Sequence, residues 1–222
     1  MDKNCHATAA LVLAFLLLPF ETSAQFRTRG PHLRGVWAPE VGAGAAYQVE
    51  TKGEGKQEME LAIVGTEIVD GKTGYWMEMA MKHPEHGQMV MKHLIVLADK
   101  DTEIKRMVMQ MGDEPPIEMS LRMMMGQQAK ATEPADIRNE AERLGTETLT
   151  TPAGTFICEH WRSKDKSSDF WLAEKVRPYG LIKMVSPDAT MILIRVISNA
   201  KSRIKGTPRK FEPEEMMRPR PE

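Results

Sequence analysis

Cysteine is almost missing from this chain. Of 222 residues only Cys5 and Cys158 carry a thiol. Cys5 precedes an apolar run that reads as a removable leader, so the remaining chain cannot close an internal bridge, and a disulfide scaffold is excluded. An excess of basic charge is also missing. With Asp2, Lys3 and Glu21 lost alongside the leader, 29 basic and 29 acidic residues are left. A nucleic-acid binder normally shows a basic excess, so no nucleic-acid partner is expected. Catalytic signatures are missing as well: there is no G-x-S-x-G, no H-E-x-x-H and no glycine-rich phosphate loop. No enzyme activity and no cofactor are expected. Stability has to come from an apolar core, and residues 44–204 are long enough to build one as a single domain.

What is present begins at the amino end. Lys3 and His6 lead into the apolar run Ala9–Phe20, followed by the small residues Thr22, Ser23 and Ala24. A run of roughly 12 residues is too short to span a bilayer and fits a secretory leader cut after Ala24. The expectation is a periplasmic or secreted protein starting at Gln25, with no transmembrane segment once the leader is gone. Residues 25–43 hold Arg27, Arg29, Arg34, Pro31 and Pro39 without periodicity, and 205–222 hold Pro208, Pro213, Pro219 and Pro221 among charges. Both read as a mobile arm and a disordered tail around the domain, because proline and charge without an apolar pattern bury too little surface to offset ordering entropy.

Between the ends, strand patterns dominate. In 56–64, Met59, Leu61 and Ile63 alternate with Glu58 and Glu60, the period-two mark of a half-buried strand. Asp70-Gly71 supplies hairpin chemistry before a second strand at 75–82. Further strands are read at 88–97, 103–111, 118–125, 147–151, 155–161, 169–174, 181–185 and 190–198. One helix is expected between Pro134 and Gly145, where Ile137, Ala141 and Leu144 recur at helical steps. Gly65-Thr66-Glu67 and Gly145-Thr146-Glu147 each open a strand–turn–strand unit, an internal echo about 80 residues apart. Many short strands in meander order predict a mainly β fold, a curved antiparallel sheet or incomplete barrel with one or two helices.

Methionine is the abundant residue, 18 in all. Met77, Met79 and Met81, then Met89 and Met91, then Met107, Met109 and Met111 recur at steps of two, which places each set on one face of its strand. Flexible, polarizable thioethers suit an apolar partner of variable shape. Trp76, Met77, Met79, Met89, Met91, Met107 and Met109 are therefore the candidate lining of a cavity for an acyl chain, a lipid or a lipidated protein. A second reading takes His83, His86, Met89 and Met91, close to His93, as a Cu(I) or other metal site, since imidazole and thioether are soft ligands. A third is a structural envelope protein whose free sheet edge pairs with a partner. Cys158 and His160 share a strand face but, with Phe156 beside them, read as core rather than as a thiolate–imidazole pair.

Arg143-Leu144-Gly145-Thr146-Glu147-Thr148, Gly154-Thr155-Phe156-Ile157-Cys158, and Asp169-Phe170-Trp171-Leu172-Ala173-Glu174-Lys175-Val176 with Gly180-Leu181-Ile182-Lys183 resemble segments of exported bacterial proteins of the LolA-like superfamily of lipoprotein-sorting and lipid-carrier proteins. The resemblance implies an incomplete antiparallel barrel with helical cover and an apolar cavity for acyl chains. It brings no catalytic residues.

Overall fold

The computed structural model describes residues 35–53, 55–83, 87–119 and 132–211, all within one compact unit. Alternating sequence becomes extended chain throughout. The first half holds β1 (Gly44–Thr51), β2 (Gly55–Val69), β3 (Lys72–His83), β4 (Gly87–Ala98), β5 (Asp101–Met111), β6 (Ile117–Met119) and β7 (Thr132–Pro134). After them come β8 (Ala141–Thr151), β9 (Gly154–Ser163), β10 (Asp169–Leu172), β11 (Leu181–Val185), β12 (Ala189–Ile197) and β13 (Arg209–Lys210). They form a single sheet in the order β13-β6-β5-β4-β3-β2-β1-β12-β11-β10-β9-β8, with β7 added to β5. Only β13 runs parallel to its neighbour. The sheet is curved and unclosed, the incomplete barrel that the meander pattern predicts.

The β2–β3 hairpin shows why the local signals work. Asp70 and Gly71 both adopt positive φ, 50° and 75°, between the paired Val69 and Lys72. A two-residue loop with two left-handed residues matches the right-handed twist of its strands, and Asp-Gly tolerates it best. The Gly-Thr-Glu echo also has a structural basis. Gly65 and Gly145 each follow a β-bulge, at Ile63/Gly65 and at Arg143/Gly145. Nothing lies within 4 Å of where a Cβ would sit at either glycine, so the glycines serve backbone shape rather than close packing.

The helix expected over 134–145 does not form. Ile137–Glu140 makes one 3-10 turn capped by Asp136, and β8 begins at Ala141. The apolar stripe was coincidental: Ile137 is buried, whereas Leu144 points out at 43 % exposure. The threonine-rich run that follows prefers extended backbone, and pairing of β8 with β9 over its whole length outweighs one weak helical face. Strand β6 stops at Met119; the rest of the strand expected over 118–125 lies outside the described residues.

The principal core joins Tyr47, Leu61, Cys158, Phe170, Met191 and Leu193 from both halves of the sheet. Both ends of the domain are also tied down. Within 35–43, Val36 and Ala38 donate backbone hydrogen bonds to Tyr179 and Pro178, and Trp37 packs on Tyr179 and Tyr75. At the other end Ile204 packs beside Trp76, Leu94 and Val108, and β13 adds to β6. The described contacts thus include residues 36–38 and 204–210 beside the strands.

Candidate functional site

Register collects the methionines. Met59, Met81, Met89 and Met111 form one cross-strand row; Leu61, Met79, Met91, Met109 and Ile117 a second; Ile63, Met77, His93, Met107 and Met119 a third. Cross-strand partners share a face, so ten methionines lie on one side of β2–β6. Met59, Met77 and Met107 are buried, and the others are half-buried. Trp76 does not join them. As the neighbour of Met77 in a strand it must point the other way, and it packs on the opposite face with Leu94 and Val108. The proposed metal set is only partly placed: Met89 and Met91 pair with Met81 and Met79, His86 lies outside the described residues, and of His83 only the backbone is described.

A cavity of about 780 Å³ opens elsewhere, and none of the seven expected lining residues borders it. Its apolar wall is Val36, Ala38, Phe156, Ile157, Leu172 and Ala173. Arg138, Lys175, Arg177, Glu159 and Glu174 supply its polar rim. The wall is assembled by backbone hydrogen bonds between distant segments. Val36 N–H donates to Tyr179 O at 2.9 Å, Ala38 N–H to Pro178 O at 2.8 Å, and Ala173 N–H to Gly180 O at 2.7 Å. Gly35 is required there, because a Cβ would collide with the carbonyl of Tyr179. Gly180 adopts φ +68°, a left-handed conformation open to glycine at no steric cost. Arg138 is fixed by Asp136, whose oxygens accept from Arg138 Nε and Nη2 at 2.7–3.0 Å. Partial burial pushes the Asp136 carboxyl up, but these bonds outweigh it and hold the group below the usual carboxylate range. Arg177 lies 3.6 Å from Glu40.

No signal in the sequence marks this cavity. Its lining comes from four stretches far apart in the chain, and only the fold brings them together.

A polar cluster beside β9 was also not foreseen. His160 Nδ1 lies 2.7 Å from Glu147 Oε1, and Nε2 lies 2.9 Å from Asp169 Oδ1. Its ring stacks on Trp171 at 4.2 Å. The Trp171 indole donates to Glu147 at 3.0 Å, and Lys183 sits 4.7 Å over its ring. The first half repeats this arrangement. The Trp76 indole donates to Glu67 at 3.2 Å, and Lys92 lies 4.7 Å over Trp76. Each glutamate ends a Gly-Thr-Glu copy, so the echo carries a side-chain constellation and not only glycine. Cys158 is fully buried, and burial pushes its thiol up to about 11. The thiol is held in its protonated form and packs in the principal core.

The turn joining β9 to β10 yields a pH prediction. Asp165 accepts from Ser163 Oγ, Ser167 N–H and Ser167 Oγ, which hold its carboxyl down from 3.8 to about 2. A depressed folded pKa gives a contribution present above the unfolded value and lost as pH falls through the folded one. The turn is therefore expected to loosen between pH 3.8 and about 2. Amide exchange at Ser167 and Ser168 checks this, and protection that persists unchanged below pH 2 refutes it.

No protein-family model matches the chain, and no curated protein does. Among solved structures, it is similar to a candidate lipoprotein of Parabacteroides distasonis at 12 % identity and TM-score 0.36, covering 74 % of this chain and 99 % of that one. A candidate exported protein with a YmcC-like fold from Bacteroides fragilis gives 12 % identity and TM-score 0.34, with 74 % and 99 % covered. The MucA/MucB complex of Pseudomonas aeruginosa gives 9 % and 0.32, with 74 % and 55 % covered. Superposition at this level assigns no family, ligand or partner to the chain.

Proposed function

We propose that the protein is exported and binds, without catalysis, a ligand carrying an acyl or similar apolar chain. The supporting observation is the 780 Å³ cavity with its apolar wall and charged rim. That volume lies within the range of small-molecule sites, where apolar walls supply affinity and a few polar groups fix orientation. The chain lies against Phe156, Leu172 and Val36, and its polar end faces Lys175 and Arg177. Residues 1–24 supply the export reading, and amino-terminal sequencing of protein from its native compartment is expected to begin at Gln25.

Titration with dansyl undecanoic acid tests the site. Saturable binding is expected, with Phe156→Ala weakening it about tenfold, since trimming a half-buried aromatic removes roughly 1.4 kcal/mol of apolar contact. Ala38→Trp obstructs the cavity at its apolar wall and is expected to weaken binding. The double variant Met91→Gln, Met109→Gln leaves affinity unchanged. Absence of saturable binding overturns the reading. Loss of binding in the methionine variant alone moves the site to the methionine face.

A further inference from the structure

One polar atom in the methionine face has no partner. His93 is 8 % exposed, and its Nε2 is buried without a hydrogen bond. A buried imidazole nitrogen left unpaired is costly, and native structures seldom keep one without a use. Its cross-strand partners offer only thioether sulfur. In register, His93 stands between Met77 on β3 and Met107 on β5, and Met107 in turn pairs with Met119 on β6. Cross-strand Cβ atoms lie roughly 5 Å apart, within reach of a side chain with three rotatable bonds.

We propose that His93, Met77 and Met107 form a binding site for a soft monovalent cation, Cu(I) or Ag(I), with Met119 as a fourth thioether. The donor set decides the class of ion. One imidazole and neutral thioethers match a soft d10 cation, whereas hard divalent ions favour carboxylate, carbonyl or water oxygens. Among the described residues, no three His, Cys, Asp or Glu side chains are grouped to hold a metal. A single charge also costs far less than a double one in so apolar a setting. The site is independent of the cavity and does not rest on the apolar-ligand reading.

Anaerobic competition against bathocuproine disulfonate measures Cu(I) retention by the full mature chain. One equivalent is expected. His93→Phe lowers affinity on the order of 100-fold or more, beyond the roughly 10–100-fold that loss of an outer-shell partner costs. Met107→Leu keeps the packing volume and lowers affinity about tenfold. His83→Gln with His86→Gln leaves it unchanged. With Ag(I), the His93 ring nitrogen resonances are expected to shift in the wild type, a readout that does not depend on any variant folding. The proposal fails if the wild type retains no metal. It fails equally if the His83/His86 pair, and not His93, carries the equivalent.

Discussion

Tyr47→Ala is expected to cost about 4 kcal/mol, as for other large buried aromatics. That corresponds to a Tm lower by about 8–16 °C for a domain of this size. Tyr47 is completely buried in the principal core, on β1, the strand that joins the two halves of the sheet. In register it pairs with Met59 on one side and Leu193 on the other. Its hydroxyl donates to Leu181 O at 3.1 Å, reaching past β12 to β11. Alanine removes the ring that both halves pack against and the bond that ties β1 to a strand two places away. Tyr47→Phe separates these effects, keeping the ring and losing about 1 kcal/mol for the hydrogen bond. A second signature is alkaline. Burial raises the phenol above its ordinary 10.0, so the folded state favours the neutral form. That contribution is present below the unfolded pKa and is lost as pH rises beyond it. The wild type is expected to lose more stability than Tyr47→Phe above pH 10. Chemical denaturation of the three proteins at neutral and alkaline pH reads both effects. An alanine variant within about 2 kcal/mol of wild type contradicts the central place of this ring.

Strand β2 was legible because its middle is half-buried. Met59, Leu61 and Ile63 face the core while Glu58 and Glu60 do not, and such alternation survives in sequence. Strand β1 gave only a short signal, Tyr47 and Val49 alternating with Gln48 and Glu50. Ala45, Ala46 and Tyr47 are all fully buried, since this central stretch is covered on both faces, and an unbroken small-and-apolar run has no period to detect. The false helix over 134–145 arose from three apolar residues whose burial is set by tertiary neighbours, not by a shared face. The shared face of the residues read as a lining was legible in part. Period two alone unites the six methionines, and the same rule separates Trp76 from them. The cavity was not legible, because Val36, Arg138, Phe156 and Leu172 belong to separate segments, and no local pattern encodes their meeting.

Glu78→Ala is expected to release the carboxyl-terminal segment from the sheet. Glu78 lies on β3 with 4 % exposure, opposite Lys92. Its carboxylate accepts from Ser202 Oγ at 2.6 Å and from Arg203 N–H at 2.8 Å. Gln110 on β5 continues the clamp, accepting from Lys205 N–H at 2.8 Å and donating to Lys205 O at 3.2 Å. Arg203 also pairs with Glu60. These polar contacts hold Ile204 on the outer apolar cluster around Trp76. Hydrogen bonds to a charged acceptor contribute about 1.5–3 kcal/mol each, so losing both weakens docking by at least about 3 kcal/mol. Alanine also leaves Lys92, whose pKa burial already lowers, with Glu67 but without the Glu78 carboxylate to favour its charged form. Trypsin cleaves after Lys201, Arg203 and Lys205, and cleavage of a docked segment tracks the population that has opened. A loss of that size predicts cleavage at least about 100-fold faster, with Glu78→Gln intermediate because its amide retains one acceptor oxygen. Equal cleavage rates in wild type and Glu78→Ala mean that Gln110 and the Ile204 contact dock the segment by themselves, and the carboxylate is then no clamp.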